Sequence, residues 1–183
     1  MRRLAAVALA WQALAVAAVA SPVRLFDAVL AAVDGRTVAA SDIALARALG
    51  MFGLTPSTGA IDRADIDRFV DGLLILEEAT RVGITADPAQ VDRVWATAIA
   101  GWGDEATFQR WLDAHALGQA RARRFAEDEA VRARFLETRF VEMAEDETAE
   151  TDRREWLAAT RRRAAIRVLL PDGASAPLPF PPR

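Results

Sequence analysis

His115 is the single histidine of the 183-residue chain, and there is no cysteine. A Ser-His-Asp or Cys-His arrangement must therefore use His115 or fail, and a zinc or iron site lacks the further N or S ligands it needs. His115 closes a short apolar stretch with Phe108, Trp111 and Leu112 at helical spacing. An imidazole there packs, or answers the negative end of the helix dipole. Asp62, Asp65, Asp67 and Asp71 form an acidic run in which Asp67 and Asp71 fall one helical turn apart and could share a cation. Arg63 and Arg68 are interleaved with them, which is the pattern of a solvated face. No Gly-rich phosphate loop, EF-hand or nucleophile elbow is present. No catalytic residue, metal or cofactor is expected.

All 23 basic residues are arginine. Arg161, Arg162 and Arg163, with the arginines between 121 and 139, offer an anionic surface to bind. Glu127, Asp128 and Glu129 lie among them and the net charge is −3, so no nucleic-acid partner is expected. The stronger claim to binding is apolar. Met51, Phe52, Trp102, Phe108 and Trp111 fall at helix ends or on short helices, where full burial is hard to guarantee. A partly open crevice of flexible Met and flat aromatics would accept varied peptide side chains; ordinary core is the competing reading.

The elements that must position these residues begin with Ala28–Leu49. Val29, Ala31 and Val33 alternate with Leu30 and Ala32 as a strand, Asp34-Gly35 has the chemistry of a type I′ turn, and Thr37-Val38 returns. Ser41-Asp42 then caps a helix running to about Met51. A loop through Thr55–Gly59 leads to the most apolar helix, about Arg63 to Val82. There Ile66, Phe69, Val70, Leu73 and Leu74 share one face, and Gly83 and Ile84 close the helix in a Schellman motif. Asp87-Pro88 opens a third helix ending at Gly103. Asp104-Glu105 opens a short fourth one, and a fifth runs from about Gln119 to Val141. A sixth is anchored by Trp156 and Leu157 and ends at Arg161–Arg163. Ala165–Leu170 alternates as a last strand. A lone strand needs a partner, and the opening hairpin supplies the other strand candidates, so the last strand is expected to pair with the first.

Both ends of the chain lie outside this frame. Met1–Ala20 has a basic start and an apolar run ending Ala18-Val19-Ala20, followed by Ser21, the grammar of a signal peptide cut after Ala20; an uncleaved membrane anchor is the alternative. Cleavage removes Arg2 and Arg3 and takes the net charge from −3 to −5. The stretch 171–183, rich in Pro and small residues, is expected to be an extended, disordered tail.

The order of these motifs resembles the N-terminal domain of the SurA family of periplasmic chaperones. Val33, Gly35, Val38, Ser41 and Asp42 match its "V-x-G-x-x-I-x-x-S-D" strand and turn. Val70, Asp71, Leu73, Leu74, Glu78, Ala79, Gly83 and Ile84 match its helix ending "E-A-x-x-x-G-I". The D-P-A-Q-V-D run at 87–92, F-x-x-W-L at Phe108–Leu112, a long Arg-rich helix ending E-T-R-F and a helix feeding a strand continue the likeness over Leu25–Leu170. Two departures stand out. No segment corresponds to the family's parvulin-type prolyl isomerase domain, and the region after Phe140 is compressed to Val141–Asp152. The resemblance implies a mostly helical domain, about six helices with a small antiparallel sheet, over residues 21–170. It further implies a periplasmic or secreted chaperone-like protein that binds unfolded exported polypeptides without catalysis, touching membrane only through its leader. A non-catalytic adaptor for one folded envelope protein, and a prolyl isomerase by family label alone, are the alternatives.

Overall fold

The computed structural model describes residues 27–140 and 147–179, with 147–149 through their backbone alone. The leader, its cleavage motif and the linker 141–146 lie outside the described residues. The order is β1 (Val29–Val33), β2 (Arg36–Ala39), α1 (Ala40–Leu49), α2 (Arg63–Arg81), α3 (Pro88–Ala100), α4 (Glu105–Ala114), α5 (Gln119–Phe140), α6 (Glu147–Arg163) and β3 (Ile166–Val168). The fold is mostly helical with one small antiparallel sheet of order β2-β1-β3.

The sheet joins the two ends of the domain. Ala31 faces Val168 and Val33 faces Ile166 across β1 and β3, and the Leu169 N–H donates to the Leu30 carbonyl at 2.8 Å. Asp34 and Gly35 have φ of 46° and 85°, the two left-handed conformations a type I′ turn demands. The Asp34 carboxylate also accepts the Ala165 N–H at 2.8 Å, so the hairpin turn itself staples β3. Strict alternation from Val29 does not hold. The register shifts between Val29 and Ala31, a bulge that turns Leu30 and Ala31 both inward and leaves Val29 exposed.

Helix α1 starts one residue before the Ser41-Asp42 cap the sequence suggests. Asp42 sits in its first turn and accepts the Ala39 N–H at 2.9 Å. Buried Ser41 is tied to Asp27 instead, donating its backbone N–H at 2.9 Å and its hydroxyl to the same carboxylate. Arg121 of α5 completes the cluster, donating to Ser41 Oγ at 2.8 Å and Asp42 Oδ1 at 2.7 Å. The capping residues thus fasten α1 to α5.

Helix α2 is the core helix. Ile66, Phe69, Val70, Leu73 and Leu74 are buried on it, each stabilising the fold by about 1.5–3 kcal/mol. Asp62 caps its start by accepting the Asp65 N–H at 2.9 Å. Its end is the expected Schellman motif, with Ile84 N–H on Ala79 O at 2.9 Å, Gly83 N–H on Thr80 O at 3.0 Å, and Gly83 at φ 79°. Helices α5 and α6 pack on α2, and α3 packs on α5.

Over residues 171–179 the structure departs from the expected disordered tail, and residues 180–183 lie outside the described residues. Ala176 is buried and forms an antiparallel bridge with Ile61, and Pro179 is buried beyond it. Composition reports that Pro and small residues form no helix or regular strand; it does not report whether a neighbouring edge receives them.

Candidate functional site

The five apolar candidates divide into two groups. Trp102, Phe108 and Trp111 belong to an aromatic chain joining α3 to α4. Trp95 meets Phe108 at 5.7 Å between ring centroids, Phe108 meets Trp102 at 5.4 Å, and Trp102 meets Trp111 at 5.5 Å. Phe108 is buried, while Trp102 and Trp111 are half-buried. The Trp102 indole N–H donates to the Ala48 carbonyl at 2.8 Å, which docks this chain on the end of α1. His115 terminates it, buried, stacked on Trp111 at 4.2 Å and with Nδ1 2.7 Å from the Trp111 carbonyl. That is the packing and helix-terminus role its position suggests.

Met51 and Phe52 are both 2% exposed. Gly50, Phe52 and Gly53 all have left-handed φ, at 66°, 57° and 72°, and this tight reversal turns both side chains inward. The Phe52 ring lies 5.2 Å from Phe69 and 5.7 Å from Phe125, and its N–H donates to Glu129 Oε2 at 3.0 Å. Of the two readings of Met51, Phe52, Trp102, Phe108 and Trp111, the open crevice does not hold for three: Met51, Phe52 and Phe108 are core, whereas Trp102 and Trp111 remain half-buried. Helix ends are poorly shielded only when no other element covers them, and here α2, α5 and the α3–α4 pair do so. Met51 and Phe52 each reach the floor of a cleft, of about 370 Å³ and 200 Å³, without being its exposed wall.

Asp67 and Asp71 do share a cation, and it is Arg161 of α6. Its guanidinium donates to Asp67 Oδ1 at 2.8 Å, to the Asp67 carbonyl at 3.3 Å and to Asp71 Oδ1. Burial pushes the Asp71 carboxyl above its ordinary value, against the hydrogen bond and charge of Arg161, and Asp67 adds to the rise. The pair is a docking clamp for α6 rather than a solvated face. A further polar centre missed by the sequence reading is Arg47, 3% exposed on α1. It donates to the Gly59 carbonyl at 3.0 Å and pairs with Asp65 at 3.5 Å, pinning the loop before α2. An arginine on the apolar face of a short helix was the available signal.

The roomiest cleft among these lies elsewhere. It holds about 690 Å³ between the end of α2, the start of α3 and the middle of α5. Leu76, Ile84, Val91 and Val131 supply apolar surface, and Asp92, Arg123, Glu127 and Asp128 supply charge. The Schellman turn at Gly83 folds Ile84 back into it, and the Asp87 cap sets the direction of α3 and hence of Val91. Arg123 is held between Asp92 at 3.1 Å and the Trp95 face at 4.6 Å. Burial pushes the Asp128 carboxyl up, Glu127 adds to the rise, and Arg36 and Arg124 oppose it. The cleft thus has an apolar floor with mixed charge on its walls. Among the described residues there is no group of three His, Cys, Asp or Glu side chains able to hold a metal, and no helix is long and apolar enough to cross a membrane. No protein-family model matches the chain, and no curated protein matches it either.

Proposed function

We propose that the protein is an exported, non-catalytic chaperone-like protein that holds segments of unfolded polypeptide in the α2–α3–α5 groove. The observation that carries this reading is the groove itself, about 690 Å³ of open space with Leu76, Ile84, Val91 and Val131 presented between charged walls. Volumes of this size accommodate several side chains at once, and mixed charge on the walls tolerates varied sequences. Support for export comes from the leader grammar of Met1–Ala20, and support for polypeptide as ligand comes from the ordered resemblance to the SurA N-terminal domain.

The test is suppression of aggregation. The mature chain at severalfold excess should reduce light scattering from an unfolded outer-membrane protein diluted out of denaturant, and Val91→Glu should lose most of that effect with its circular dichroism unchanged. No suppression by the unmodified chain overturns the reading. A pull-down that returns one stoichiometric folded partner instead of many clients would favour the adaptor alternative. A proline-peptide isomerisation assay should stay at the background rate.

A further inference from the structure

The bridge between Ile61 and Ala176 has the form of peptide recognition by β-addition. Each residue donates its N–H to the other's carbonyl, both at 2.8 Å. Ala176 is buried, Leu178 packs half-buried on the main core, and Pro179 is buried. Ile61 is presented by a rigid frame. Arg47 fixes the Gly59 carbonyl just before it, Asp62 just after it caps α2, and its own side chain is fully buried. Residues 174–179 form a strap that meets this edge through Ala176. Beyond the bridge and those side chains, the tail makes an ion pair from Arg63 to Asp172 at 3.1 Å, and Asp172 is 96% exposed there, where screening leaves little attraction.

An edge fixed by Arg47 and Asp62, and an extended segment joined to it by one main-chain pair and three side chains, are the two halves of a binding site and its ligand. We propose that the backbone edge at Ile61 is a binding site for extended peptide of the pattern small residue-Pro-Leu-Pro, and that residues 174–179 are its occupant in cis. The main-chain pair supplies the attachment, the seat of Ala176 admits only a small side chain, and the seats of Leu178 and Pro179 select the rest. A free peptide of the same pattern competes with the tail for the edge. The site stands apart from the α2–α3–α5 groove and does not depend on the function proposed for it.

The experiment uses the full chain with Ala176→Pro and Leu178→Glu, which loosen the strap in place, and a fluorescently labelled peptide of residues 172–179. Anisotropy should show saturable binding to this variant and at least tenfold weaker binding to the unmodified chain, where the tail competes. The same peptide with Pro at the Ala176 position should not bind, since the donated N–H is gone. No binding to a variant that retains its melting transition overturns the proposal. Hydrogen exchange on the unmodified chain reads the same point without substitutions. The Ile61 and Ala176 amides should exchange together and at least tenfold faster than those of Leu73 and Leu74; exchange at the rate of those core amides would show a strap that never leaves. Neither measurement reads aggregation, so failure here leaves the groove reading standing, and the converse holds.

Discussion

Phe52 occupies the space where Gly72 would carry a side chain. A Cβ built on Gly72 would lie 2.9 Å from Phe52 Cβ and 3.0 Å from Cγ, and closer still to Cδ1. Phe52 is itself left-handed at φ 57°, an outlier for a bulky residue. It is held there by the Glu129 carboxylate on its N–H and by the rings of Phe69 and Phe125. The glycine in mid-helix and the strained phenylalanine in the loop are one arrangement.

Gly72→Ala should therefore destabilise the protein by about 1–3 kcal/mol, the range of overpacking in a closed core, read from urea unfolding. In a Phe52→Ala background the same change should be neutral or stabilising by up to about 1 kcal/mol, because the ordinary helix preference for alanine returns. Additive effects in the double variant would separate the two residues.

Arg161→Met should cost more stability than Asp71→Asn, since it leaves the Asp67 and Asp71 carboxylates facing each other, whereas Asp71→Asn leaves Arg161 on Asp67. The sign with pH follows from Asp71. Its folded pKa is raised above 3.8, so the folded state binds the proton more tightly, and this group's contribution falls as pH rises from that value through the raised one. Arg161→Met removes the two influences that lower it. The deficit of that variant, measured as the Tm difference from the unmodified chain, should shrink between pH 7 and pH 4.

Ala116→Gly should raise stability by about 0.5–1 kcal/mol. Ala116 follows α4 at φ 51° in a Schellman arrangement, with Leu117 N–H on Leu112 O at 2.9 Å and its own N–H on Asp113 O at 3.1 Å, and its side chain is exposed. Glycine takes that conformation without the Cβ cost and keeps both bonds. A lowered melting temperature would show that the alanine methyl matters.

Leu169→Pro should lower stability by about 1–3 kcal/mol while Leu169→Ala changes it little. The side chain is 46% exposed, but its N–H closes β3 on Leu30, and proline removes that donor. Equal effects of the two substitutions would mean the sheet does not clasp the ends of the domain.

Short-range chemistry alone accounts for a good part of the fold. The type I′ turn at Asp34-Gly35, the caps at Asp62, Asp87 and Asp104, the Schellman close at Gly83 and the buried face of α2 each depend on residues within one or two turns of one another. The pairing of β3 with β1 was legible too, because a strand needs a partner and few strand candidates were present. What stayed hidden depends on which elements meet. The burial of Met51 and Phe52, Arg161 as the cation between Asp67 and Asp71, and the groove between α2, α3 and α5 all arise from contacts well beyond one or two turns. Nothing in a local pattern records those contacts. The tail shows the difference most plainly: its composition determined that residues 174–179 would be extended, and only the edge at Ile61, held ready by Arg47 on another helix, decided that they would be bound.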